Sequence, residues 1–146
     1  MNADKLVLGL AGLKLAIETT EVAGIVSVQH PTYLPHQSGF VSGLISLRGE
    51  PVTVVDVRKA FKLQDAGSGH MIVVVRDSKR TLGLDAGGAE TSFLWAEELK
   101  KCIIGGDGGA FTKGTLTLDH DSYVLIDWRA LFDEAARLLT TDETRV

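Results

Sequence analysis

Cysteine is almost missing from this chain: Cys102 stands alone among 146 residues. A lone thiol closes no internal disulfide, which excludes a disulfide-stapled scaffold and suits a reducing compartment. Concentrated positive charge is missing too. Fifteen basic residues face nineteen acidic ones, the net charge is −4, and no stretch gathers enough Lys and Arg to follow a phosphate backbone, which argues against nucleic acid as a partner. Long apolar runs are also lacking. Residues 6–10 are apolar but too few for a membrane span or a signal-peptide core, and Met1-Asn2-Ala3-Asp4-Lys5 gives them no cationic lead. The expectation is a cytoplasmic protein without direct membrane insertion.

The usual marks of catalysis and cofactor binding are absent as well. No Gly-rich phosphate loop meets a Gly-Lys-Ser/Thr, and neither His-x-x-x-His nor Cys-x-x-Cys occurs to seed a metal site. His30, His36, His70 and His120 are scattered. No Gly-x-Ser-x-Gly is present, and the triad residue types in Asp119-His120-Asp121-Ser122 sit side by side in one turn, where they cannot form a relay. The expectation is no enzyme, no cofactor and no metal; a small enzyme or ligand-binding barrel using the loop from His30 to His36 is the alternative from another class.

What is present is β-strand. A chain of this length fits one domain over residues 1–146, or two lobes sharing one core, with an average content of apolar residues (45%) and charge (23%). Residues 6–11 and 13–18 flank Gly12 as two short strands, and residues 22–28 add a β-branched run. Residues 29–39, with Pro31, Pro35 and two histidines, read as an exposed loop. Three hairpins follow: residues 44–47 with 52–55 around Arg48-Gly49-Glu50-Pro51, residues 71–75 with 81–84 around Asp77-Ser78-Lys79, and residues 115–118 with 123–126 around Asp119-His120-Asp121. Residues 105–109 read as a flexible glycine connection.

Trp128, Leu131, Phe132, Ala135, Leu138 and Leu139 recur at helical spacing behind Asp127, whose side chain is placed to cap the first turn. The segment Val55-Asp56-Val57-Arg58-Lys59-Ala60-Phe61 echoes Ile126-Asp127-Trp128-Arg129-Ala130-Leu131-Phe132, the mark of two lobes of related plan. Arg48 reads two ways at its hairpin tip. It is a solvated turn residue, or its planar fork of donors meets partner carboxylates.

The stretch Gly43-Leu44-Ile45-Ser46-Leu47-Arg48-Gly49-Glu50-Pro51-Val52-Thr53-Val54-Val55-Asp56-Val57-Arg58-Lys59-Ala60-Phe61 resembles the signature of the CheW family, Asn-Leu-Arg-Gly followed by a strand ending in Val-Asp-Leu-Arg and a short helix. The likeness runs nearly the whole length, through Arg80-Thr81-Leu82-Gly83-Leu84 and Val124-Leu125-Ile126-Asp127. It implies a mainly β fold of two small five-stranded SH3-like β-barrel lobes sharing a core, with a short helix and a C-terminal amphipathic helix. It also implies a non-catalytic adaptor between the cytoplasmic hairpins of chemoreceptors and the regulatory domain of a CheA-type histidine kinase.

By that resemblance, Val22, Ile25, Val26, Ile45, Arg48 and Gly49 line a receptor groove between the lobes, and Asp85, Ala86, Gly87 and Gly88 form an edge toward the kinase. Two departures from the family pattern stand out. Gly24 occupies the place of the glutamate that usually pairs with the motif's arginine, and Asp85-Ala86-Gly87-Gly88 replaces an apolar-rich Val-Asp-x-Val. They raise a second expectation, a divergent adaptor that binds receptors and couples weakly or not at all to the kinase.

Overall fold

Strands of six or seven residues need a reversal between them, and this chain places residues with positive φ there. The computed structural model describes residues 3–28, 39–63, 69–106 and 109–143, with side chains to 139. Strands β1 (Lys5–Leu10) and β2 (Leu13–Glu18) reverse over Ala11 and Gly12, at φ of 49° and 82°. A 3-10 turn (Thr19–Glu21) leads into β3 (Val22–Val28). Strands β4 (Val41–Leu47) and β5 (Glu50–Asp56) reverse over Arg48 and Gly49, at 52° and 79°. Positive φ at both central residues is the requirement of a type I′ turn, whose twist suits the strands it joins. Helix α1 (Val57–Ala60), β6 (His70–Arg76) and β7 (Thr81–Asp85) come next. The reversal between β6 and β7 is held by Asp77, whose Oδ1 accepts from the N–H groups of Lys79 (2.8 Å) and Arg80 (2.7 Å). The chain then runs through β8 (Glu90–Leu94), α2 (Ala96–Leu99), β9 (Ile103–Gly105), β10 (Thr112–Leu118), β11 (Asp121–Ile126) and α3 (Trp128–Glu143).

These strands form two sheets, ordered β8-β1-β2-β11-β10-β9 and β3-β6-β7-β5-β4. The two β lobes are those expected. The ladders differ from the expectation: neither closes into a barrel, and the first holds six strands because Ile103, Ile104 and Gly105, expected in or beside a glycine connection, pair with β10 as β9.

The repeat heard in the sequence is real in space. In one sheet the hairpin β1–β2 lies parallel, through β2, to β11 of the hairpin β10–β11. In the other, β6–β7 lies parallel, through β7, to β5 of the hairpin β4–β5. β5 and β11 each run into an aspartate that caps a helix: Asp56, the last residue of β5, accepts from the N–H of Arg58 (2.9 Å), and Asp127, the residue after β11, from that of Ala130 (3.1 Å). The same two aspartates donate their own N–H groups to Phe40 O and Phe111 O, and those phenyl rings meet edge to face at 5.6 Å.

Alternation along the strands puts Leu6, Leu8 and Leu10 of one sheet against Val73, Val75, Leu82 and Leu84 of the other, with Trp128, Leu131 and Ala135 of α3 in the same core. The opposite face of the second sheet buries Ile45, Val52, Val54, Ile72 and Val74 in a satellite cluster. Gly83 makes that cluster possible, since a Cβ there would stand 3.0 Å from Val54 Cγ2 and 3.1 Å from Ile72 Cγ2.

Helix α3 is also tied down by charge. Arg129 donates from Nε to Asp77 Oδ2 (2.8 Å) and from Nη2 to Glu21 Oε2, and Arg80 joins from the other side of Asp77 at 3.3 Å. The Lys79 N–H, against the opposing pull of desolvation, and then the Arg129 and Arg80 donors hold the Asp77 carboxyl down to about 2, from an ordinary 3.8. A depressed carboxyl stabilises the fold above its unfolded value and loses that contribution as pH falls through the folded one. The expected result is a loss of stability between pH 3.8 and about 2, read by acid titration at fixed urea. In Asp77→Asn that part of the profile should flatten.

Candidate functional site

The second sheet leaves its two edge strands, β3 and β4, unpaired with each other. Between β3 and the hairpin β4–β5 lies a groove of about 210 Å³, lined by Gly24, Ile25 and Val26, by Leu47, Arg48 and Val52, and by Val74 and Arg76 beneath and beside them. Its floor is firm because Val52 and Val74 belong to the satellite cluster. One wall is apolar and open to solvent, with Ile25 47% exposed.

The rim carries two arginines. Arg76 Nη2 donates to Glu50 Oε2 (3.2 Å) and its Nε donates to Thr81 Oγ1 (3.2 Å). Arg48 is exposed at the type I′ turn, and its guanidinium has no hydrogen bond or ion pair among the described residues. Glu50, the nearest acid in sequence, is thus engaged by Arg76. Gly24 follows a bulge in the β3–β6 ladder, and a Cβ built there meets nothing within 4 Å.

Ile25, Val26 and Arg48 therefore line one groove. Ile45 lies beneath them, buried in the satellite cluster. Val22 packs against the central core, and Gly49 is exposed beside Arg48 without lining the groove. All the lining residues come from strands of one sheet or the turn between them, so the groove lies within one lobe.

Asp85, Ala86, Gly87 and Gly88 form the corner where β7 leaves its sheet. Asp85 and Ala86 are 1% and 0% exposed, Gly87 is buried, and Gly88 is exposed. Asp85 is a local organiser: Oδ1 accepts from Gly87 N–H (2.9 Å) and Oδ2 meets His70 Nδ1 (2.8 Å). Gly87, at φ 57°, packs so close to Arg58 that a Cβ would stand 3.2 Å from its Nη1. Asp85→Ala should cost about 2–3 kcal/mol, because it strips a buried carboxylate from two donors, and a urea melt measures it. Asp85→Asn, which keeps an acceptor oxygen, should cost less.

Sequence reasoning missed β8, α2 and β9. Phe93 and Trp95, with rings 6.4 Å apart, stand exposed at the end of β8, beside an opening of about 920 Å³. Ile103 and Ile104 are 72% and 78% exposed on β9. The turn reading of Asp119-His120-Asp121 is correct, and Asp121 is engaged by Lys14 Nζ at 2.8 Å. His30 and His36 lie outside the described residues. Among the described residues no three His, Cys, Asp or Glu side chains gather as metal ligands, and no helix is long and apolar enough to cross a membrane.

Comparison with known proteins agrees with this architecture. The family model described as a CheW-like domain matches residues 4–136. A curated relative from Rhizobium etli, named a probable chemotaxis protein CheW, is 28% identical over 108 residues, covering 70% of each chain. The crystal structure of the scaffolding protein TtCheW from Thermoanaerobacter tengcongensis superposes with a TM-score of 0.67 at 22% identity, over 86% of this chain and 89% of that one, and so shares its fold. The chain belongs to the CheW-like family of non-catalytic chemotaxis scaffold and adaptor proteins.

Proposed function

We propose that this protein is a cytoplasmic adaptor of a chemosensory array, seating the helical hairpin of a chemoreceptor in the groove between β3 and the β4–β5 turn and coupling it to a CheA-type histidine kinase. The observation that carries this reading is the groove itself. An open apolar wall of Ile25 and Val26, a floor already packed by Val52 and Val74, and an uncommitted Arg48 at the rim suit an amphipathic helical partner. Burial of the apolar wall supplies affinity, and the arginine sets register.

A second reading has its own observation. Only Gly88 of the Asp85–Gly88 corner is exposed, which leaves little side-chain surface there for a kinase to grip. This favours an adaptor that holds receptors and couples weakly or not at all. Calorimetric titration against a receptor hairpin and, separately, the kinase regulatory domain from the same cell decides between them. Binding to both supports the coupling role, receptor binding alone supports the divergent adaptor, and binding to neither removes both readings.

A further inference from the structure

We infer that the groove takes a carboxylate from its partner: Arg48 pairs with an acidic side chain of the receptor hairpin beside the apolar residue that enters against Ile25 and Val26, and Gly24 leaves the room for it. The inference rests on the receptor reading and goes further, by naming the chemistry that selects the partner. Three observations support it.

The charge at the rim is unbalanced. Arg48 and Arg76 line the groove with Glu50, and Glu50 is engaged by Arg76 at 3.2 Å, so one guanidinium is left over. Docking a hairpin over that guanidinium strips its water, which is costly unless a counter-charge replaces the solvent. A carboxylate does so with two parallel hydrogen bonds, the geometry that a guanidinium fork favours.

The opposite wall supplies no acid. Gly24 ends there without a side chain, and space alone does not require glycine, since a Cβ would touch nothing within 4 Å. A longer side chain fits, so its absence leaves a vacant place in the groove that a partner's side chain can fill.

Arg48 is held at a conformational cost. Its φ of 52° lies in the left-handed region, where asparagine and glycine sit with less strain. An arginine kept at that position in an exposed turn, with no tie to the rest of the fold, points to use at an interface.

The test measures one receptor hairpin against wild type, Gly24→Ala, Gly24→Gln and Gly24→Glu, and then repeats it with each acid at the hairpin tip changed singly to its amide. Expected is a loss of tenfold or more for Gly24→Glu, which supplies the acid internally, against less than threefold for Gly24→Gln and Gly24→Ala. One acid-to-amide change in the hairpin should weaken binding to wild type by a similar factor and barely affect Gly24→Glu. The hairpin series carries the test even where Gly24→Glu does not fold. If Gly24→Glu binds as well as wild type, or if no hairpin acid matters, the inference fails while the receptor groove stands. If wild type does not bind the hairpin, the groove reading fails and the inference with it.

Discussion

Arg48→Glu is expected to weaken binding of the receptor hairpin by about 3 kcal/mol, on the order of a hundredfold in Kd, without lowering thermal stability. The affinity loss follows from reversing a charge at the rim of a groove that binding dries out. The unchanged stability follows from the free protein: the Arg48 side chain is exposed and has no partner among the described residues, so its removal breaks nothing in the fold. Arg48→Asn separates the two effects further. Asparagine tolerates a φ of 52° better than arginine, so this variant should be more stable by about 0.5–1 kcal/mol and still bind poorly. Calorimetry and a urea melt on the same preparations read both quantities. Unchanged affinity in Arg48→Glu would return Arg48 to the role of an ordinary turn residue.

The parts of this fold legible in the sequence are those where burial imposes a pattern. Residues 22–28 were readable as a β-branched run, β4 and β5 because apolar side chains lead into a turn that suits Gly49, and β6 and β7 because a continuous apolar run, buried from Ile72 to Val75, meets the turn at Asp77. The Asp127 cap and the apolar stripe behind it gave the last helix. The edge strands were not readable, for the converse reason. In β8 only Leu94 is buried, so Glu90-Thr91-Ser92-Phe93 carries no alternation. In β9 the apolar pair Ile103-Ile104 is exposed, and the glycines after it resemble a linker. The site was legible through a motif, and its depth was not. Nothing in the spacing of Val22, Ile45 and Arg48 says that one faces the central core, one lies under the groove and one stands at its rim. Likewise nothing in the sequence around Asp85, assigned by resemblance to an edge toward the kinase, signals its burial, which the His70 pairing and the β7 corner explain.

The largest loss of stability is expected from Trp128→Ala, about 3–5 kcal/mol, a large share of what a domain of this size holds in reserve. Trp128 is fully buried in the core shared by the two sheets, so truncation opens a cavity where the lobes meet. Its indole N–H donates to Glu21 Oε1 at 3.2 Å, and the Arg129 guanidinium lies 4.7 Å from the ring centroid, so the same change disturbs both groups that tie α3 to the 3-10 turn and to Asp77. Trp128→Phe keeps most of the volume and drops the N–H, so it should cost roughly 1–2 kcal/mol. Urea melts of the three proteins give the ordering, and the slope of each transition should stay near the wild-type value while unfolding remains all-or-none. Amide exchange locates the effect: in a single cooperative unit, protection falls together in α3 and in both sheets. Loss confined to α3 would mean that the helix docks onto a core able to stand without it. The groove proposed for the receptor lies on the far face of the second sheet from Trp128, over the satellite cluster, so at temperatures where Trp128→Phe remains folded its hairpin affinity should match wild type.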